Sequence, residues 1–176
     1  MKTIIALGGS TSKKSINAQW ASYAAHQVPN VQVQPLNLND FELPLYSVDL
    51  EGEAGIPENA QKLNDTLAGA DGIVLSLAEH NGSYSAAFKN AMDWVSRIDM
   101  KIWKEKPMLL MATSPGGRGG ATVLATAAQS FPHLGAQVVA QFALPSFGQN
   151  FTENGLADGE LQKTFDQALE KFSQAL

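Results

Sequence analysis

Serines, glycines and lysines crowd one short stretch near the start of the chain, GGSTSKKSIN, Gly8 to Asn17. A phosphate needs several hydrogen-bond donors converging on it. Glycines let the backbone come close, and the start of a helix offers free N–H groups and a positive dipole. Ser10, Thr11, Ser12, Ser15 and Asn17 add side-chain donors to that stretch, and Lys13 or Lys14 adds charge. A plainer reading fits the same residues: Ser15 caps a helix that begins near Ile16, and the lysines are solvated. Neither the glycine fingerprint of dinucleotide sites nor a Walker lysine pattern is present to choose between the two. A second stretch, AEHNGSYS (Ala78 to Ser85), can present backbone donors and acceptors to a flat heterocycle, with Asn81 and Gly82 suited to a tight turn. His80 lies within it as a lone loop histidine, a pattern commoner among polar surface residues than among acids or bases. The third stretch, SPGGRGG (Ser114 to Gly120), sets glycines around Pro115 and Arg118; it suits close approach to a ring, or a flexible turn before a helix.

These stretches act together only if the rest of the chain carries them to one place. Five apolar segments alternate with helix-like ones: Thr3–Leu7, Val31–Leu36, Gly72–Leu77, Met108–Thr113 and Ala136–Phe142. The alternation predicts an α/β protein with a parallel sheet between helices. Gly72–Leu77 and Met108–Thr113 are almost continuously apolar, as strands covered on both faces should be. Val31–Leu36 alternates and contains Pro35, which suits an edge. The central and peripheral assignments match a flavodoxin-like doubly wound, five-stranded sheet in order 2-1-3-4-5, layered α/β/α. Helical spacing puts Ile16, Trp20, Tyr23 and Ala24 on one face; Ala60, Leu63 and Leu67 form another. Phe88, Ala91, Met92 and Val95 make a third, and Val123, Leu124, Ala127, Ala128 and Phe131 a fourth. The last helix carries Leu161, Phe165, Ala168, Leu169 and Phe172, with Asp158 as its cap. The segments 37–56 and 144–157 read as long irregular connections. In such a sheet ligands bind beyond the carboxyl ends of the strands where strand order reverses, here between the first and third strands, and the three donor-rich stretches follow strands one, three and four.

Bulk composition narrows the function. The 176 residues are close to the common size of a single domain, 1–176, that buries a core without disulfides or metals. Apolar residues make up 44% and charged ones 16%, an ordinary globular balance. No apolar run approaches the roughly 20 residues of a membrane span, and the apolar stretch after Lys2, about five residues, is too short for a signal peptide's core. A cytoplasmic protein without membrane contact is expected. Cysteine is absent, which excludes disulfides, thiolate nucleophiles and cysteine-ligated clusters, so redox chemistry would require a bound organic cofactor. The formal net charge of -5 argues against a nucleic-acid partner.

Taken together, the three stretches resemble the NAD(P)H-dependent FMN reductase family, whose members have a flavodoxin-like fold and include quinone, chromate and azo-dye reductases. The family's glycine-serine turn followed by a serine and an asparagine two apart is seen as GGSTSKKSIN. Its Pro-Glu-Tyr-Asn-Gly-Ser loop and Leu-Lys-Asn-Ala-x-Asp-Trp helix are seen as AEHNGSYSAAFKNAMDW, and Ser-Pro-Gly-Gly-x-x-Gly as SPGGRGG. The resemblance implies that Ser10, Ser15 and Asn17 hold an FMN phosphate beside Ser12 and Lys14. It implies further that Ala78, Glu79, His80, Asn81 and Gly82 line the isoalloxazine, and that Ser114, Gly116 and Gly117 border its other edge. Ser12 stands where the family usually has arginine, so Lys13 or Lys14 must supply the charge, without arginine's planar fork. Ala78 replaces a proline, and His80 a tyrosine. The implied activity is an NADPH or NADH oxidoreductase that uses FMN to reduce a quinone, free flavin or similar acceptor, with no catalytic side chain required. Arg118, Lys13 and Lys14 could each meet a 2′-phosphate. A flavodoxin-like electron carrier and a cofactor-poor binding module on the same fold are the rival readings. Trp94 falls off the apolar face of its helix, which core burial elsewhere on the same domain would explain; the family likeness implies instead a homodimer or homotetramer contact made by this helix and its neighbour carrying Val123 and Phe131.

Overall fold

The computed structural model describes residues 1–176. Along the chain come β1 (Lys2–Gly9), α1 (Ile16–His26), β2 (Val31–Leu36), α2 (Val48–Ala54), α3 (Glu58–Ala68) and β3 (Gly72–Leu77). The hairpin β4 (Glu79–His80) and β5 (Ser83–Tyr84) follows, then α4 (Ala86–Ile98), β6 (Pro107–Thr113), α5 (Ala121–Ser130) and β7 (Gln137–Leu144). The single turn α6 (Phe147–Asn150), the hairpin β8 (Phe151–Thr152) and β9 (Gly155–Leu156), and α7 (Gly159–Ala175) complete it. Five strands form one sheet in order β2-β1-β3-β6-β7, every neighbouring pair parallel. Counted over these strands alone, this is the predicted 2-1-3-4-5 order of a flavodoxin-like fold.

Burial explains the order. Every residue of β3 is buried, and β6 is buried from Met108 onward, whereas β2 alternates between half-buried and exposed residues before Leu36. Side chains that alternate along each strand feed two cores. On one face Ile4, Val74, Leu109 and Met111 meet Trp20 of α1 and Phe165 and Phe172 of α7. On the other Ile5, Leu7, Ile73, Leu75 and Leu110 meet Leu63 of α3, Phe88 and Val95 of α4, and Phe131. Each large apolar side chain so buried contributes about 1.5–3 kcal/mol, so a doubly apolar run gains most in the middle of the sheet. Helix starts are set by side-chain caps. Ser15, Ser85 and Asp158 accept N–H groups of Ala18, Phe88 and Leu161, at the starts of α1, α4 and α7. No helix is long and apolar enough to cross a membrane.

Three parts differ from the sequence reading. The segment read as irregular from 37 to 56 contains α2, capped by Ser47; none of its residues is buried, so it has no apolar stripe to reveal it. The segment from 144 to 157 holds α6 and the β8–β9 hairpin. Trp94, Val123 and Phe131 are buried in the molecule's own interior, so core burial explains the position of Trp94 off its helix face. Trp94 lies beneath the connection after β2, where its Nε1 donates to the Pro44 carbonyl at 2.7 Å and its ring meets Tyr46 edge-on.

Candidate functional site

The first loop is shaped by a backbone approach. A Cβ on Gly8 would lie 2.5 Å from the Ala18 nitrogen, so only glycine lets the start of α1 rest against the end of β1. Ser15 Oγ accepts the Ala18 N–H at 3.1 Å, which leaves the N–H groups of Ile16 and Asn17 without protein acceptors at the positive end of the helix. Ser10 Oγ accepts the Ser12 N–H and Ser12 Oγ the Lys14 N–H, at 3.1 and 3.3 Å. Both hydroxyl protons stay available to a ligand. The two readings of Ser15 are thus compatible: it caps the helix, and the cap helps to present donors.

Asn17 turns inward. Its Oδ1 accepts from Ser76 Oγ at 2.7 Å and from the Thr113 N–H at 3.1 Å, while Nδ2 donates to the Thr113 carbonyl at 3.2 Å. All three residues are buried, so the amide ties the ends of β3 and β6 to the start of α1 directly beneath the loops. Ser85 makes a second tie, donating to the Gly9 carbonyl at 2.8 Å. Sequence reasoning passed over Ser76, Ser85 and Thr113. The signal was there for two of them, since Ser76 and Thr113 are hydroxyl residues in otherwise apolar strands.

The second loop is a two-residue hairpin. Asn81 and Gly82 both have positive φ, 52° and 74°, the geometry that a tight turn between twisted strands requires. His80 is exposed, opposite Ser83. Glu79 reaches away, its Oε2 accepting the Val123 N–H of α5 at 2.9 Å. The third loop is fixed from below: the Ser114 carbonyl accepts the Phe147 N–H at 3.0 Å and the Gly116 carbonyl the Ser146 N–H at 2.9 Å.

One cleft of about 270 Å³ joins the three loops. Ser10, Ser12, Lys14, Ser15 and Asn17 line it from the first, Ala78, Glu79 and His80 from the second, and Ser114 with Pro115 from the third. Asn81 and Gly82 sit just outside, in the hairpin turn, and Gly116 and Gly117 are exposed beyond Pro115. The lysines part company: Lys14 faces this cleft, and Lys13 an adjoining one of about 350 Å³ between α1 and the end of β2. The ionisable groups with displaced pKa values cluster elsewhere, chiefly where Tyr46 and Arg97 hydrogen-bond Glu51 and hold its carboxyl below the usual range.

A doubly wound parallel sheet with helix-start donors at its switch point defines the flavodoxin-like class of proteins. Residues 2–149 match the NADPH-dependent FMN reductase family, and the chain belongs to that family. It is 32% identical over 122 residues to a quinone reductase of Escherichia coli (strain K12), covering 67% of this chain and 63% of that protein. It is also 32% identical over 121 residues to an NADPH:quinone oxidoreductase of Arabidopsis thaliana, covering 66% and 60%. The matched part thus spans about three fifths of the length of these relatives. Among solved structures it is similar to FerB, a flavoenzyme NAD(P)H:(acceptor) oxidoreductase from Paracoccus denitrificans, at 26% identity over 99% of both chains with a TM-score of 0.77.

Proposed function

We propose that the cleft binds FMN and that the protein is an NAD(P)H-dependent oxidoreductase acting on a quinone, free flavin or similar small acceptor. The observation that carries this reading is the convergence on one cleft of the α1 N-terminus with its unclaimed N–H groups, Ala78 to His80 at the start of the hairpin, and the Ser114–Pro115 turn. The donor set fits a phosphate: Ser10 and Ser12 hydroxyls, the Ile16 and Asn17 N–H groups and the Lys14 ammonium all belong to the first loop. Asn17 holds the donors in place through its side chain and offers its own N–H. Ala78 to Gly82, Ser114, Gly116 and Gly117 offer backbone to the edges of a planar ring. Bound FMN supplies the hydride-transfer chemistry, and the residues of this chain bind and orient it, so no catalytic side chain is assigned.

The test is the absorbance of purified protein with added FMN, followed by NADH or NADPH and then menadione. A saturable flavin spectrum that is bleached by nicotinamide nucleotide and restored by menadione is expected. Bleaching only through a partner protein would replace the reading with an electron carrier, and the lack of saturable flavin binding with a cofactor-free module.

The reading includes a homodimer or homotetramer. Two features support it: Leu45 and Val48, 81% and 74% exposed, on one side of α4, and a largely apolar groove on the other, with the exposed Met100 at its wall. Sedimentation equilibrium at micromolar concentration should return twice or four times the chain mass, and a strict monomer would remove this part.

A further inference from the structure

We propose that Glu79 is a positioning residue: by capping α5 from the neighbouring loop it clamps the hairpin against that helix and so sets the separation of the two walls of the cleft. The inference rests on the flavin-binding reading.

The need for an external cap comes from packing. At Gly119 and Gly120, φ is +59° and +77°. A Cβ on Gly119 would lie 2.7 Å from the Leu144 carbonyl carbon and oxygen, and one on Gly120 2.9 Å from the Ala112 Cβ. The turn before α5 therefore admits glycine alone, pressed on the ends of β6 and β7. Gly120 is thereby the N-cap of α5, with no side chain to cap it and no acidic residue in the first turn. The third N–H of the helix, on Val123, is the one that a local cap would satisfy. Glu79 takes it instead, from 44 residues away.

The clamp has a second end. Tyr84, paired with Glu79 across the hairpin, stacks on Phe131 with ring centroids 6.0 Å apart and meets Ser130 Oγ through its hydroxyl at 3.2 Å. Gly82 faces Thr122, in the same first turn of α5 as Val123. The hairpin thus lies along α5, held at the first turn by a carboxylate and at the last by an aromatic ring. Since α5 continues directly from the Ser114–Gly120 turn, hairpin and turn move as one body while Glu79 holds. If Glu79 lets go, the hairpin gains open states that do not bind a ring, and apparent affinity falls by the fraction lost.

Three variants separate reach from charge. Glu79→Gln keeps the reach and an acceptor oxygen, Glu79→Asp keeps the charge but is one methylene short, and Glu79→Ala keeps neither. FMN titrations followed by flavin fluorescence should show Glu79→Ala and Glu79→Asp weakened by about tenfold, with Glu79→Gln within about threefold of the parent. In the ligand-free proteins, hydrogen exchange at the Val123 amide and through 79–84 should speed up in the Ala and Asp variants and not in Gln. Asp158→Ala, which uncaps α7 away from the cleft, should lower the melting temperature and leave FMN affinity unchanged. The proposal is overturned if Glu79→Asp binds FMN like the parent while Glu79→Gln does not, if Val123 exchange is unaltered in Glu79→Ala, or if Asp158→Ala weakens FMN equally. A parent protein without saturable FMN binding, but with faster Val123 exchange in Glu79→Ala, overturns the flavin reading and leaves the clamp standing.

Discussion

Asn17 shows how little at the residue scale separates a ligand donor from a brace. Its side chain already satisfies the Ser76 hydroxyl and both backbone groups of Thr113. Asn17→Ala should therefore lower unfolding free energy by about 2–3 kcal/mol, because buried polar groups lose their partner; urea titration with an unchanged slope would check it. The lysines provide a paired comparison. Lys14 faces the cleft and Lys13 the adjoining cavity, so Lys14→Ala should weaken FMN by about tenfold at low ionic strength and Lys13→Ala by less than about threefold. Raising salt toward the molar range should shrink the difference, since a point charge near solvent is screened. Equal losses from the two variants would contradict the placement.

At the scale of elements, α4 secures the connection after β2. Asn90 donates to the Pro44 carbonyl at 3.0 Å and accepts the Tyr46 N–H at 2.9 Å, while Arg97 Nε and the Tyr46 hydroxyl both reach Glu51 Oε2 at 2.9 Å. The Glu51 carboxyl is lowered from its ordinary value of 4.5 first by the Tyr46 hydroxyl and then by Arg97, against an opposing effect of burial. A carboxyl whose folded pKa is depressed contributes stability that is complete above the ordinary value and disappears as pH falls through the depressed one. Parent and Glu51→Gln proteins should therefore differ in stability at pH 7, and the difference should narrow progressively as pH falls below the ordinary value of 4.5. Urea midpoints measured at a series of pH values would show the narrowing, and a difference that stays constant from pH 7 into strong acid would rule out the ion as its source.

The whole molecule gives two layers of helices one sheet and places the cleft where β1 and β3 part toward opposite edges. A ligand that binds only the folded state stabilises all of it. FMN at a hundredfold excess over its dissociation constant should add about 2.7 kcal/mol, which for a chain of this size raises the melting temperature by roughly 5–11 °C. Scanning calorimetry with and without FMN checks the shift. Riboflavin, which lacks the phosphate, should give a clearly smaller one if the first loop is the phosphate site.

How much of this was legible in the residues follows from how far each signal travels along the chain. Continuous apolar runs disclose doubly covered strands, Pro35 an edge, and helical spacing the buried stripes, because each depends on a few neighbouring residues and the solvent they avoid. The same local logic disclosed the Asn81–Gly82 turn and the Ser15 and Asp158 caps. It missed α2, which buries nothing, and it left Trp94 between core burial and an outer contact, a choice made by a carbonyl 50 residues away that receives its N–H. Sequence alone determined the sheet, its order and the three loops that meet at its carboxyl rim, since local pattern and the rule for parallel crossovers suffice for these. Only the tertiary structure decided that Asn17 faces strands as well as the cleft, that Lys14 and Lys13 serve different cavities, and that Glu79 caps a helix 44 residues ahead. Those choices depend on hydrogen bonds between distant segments, which form only after the sheet has brought the segments together.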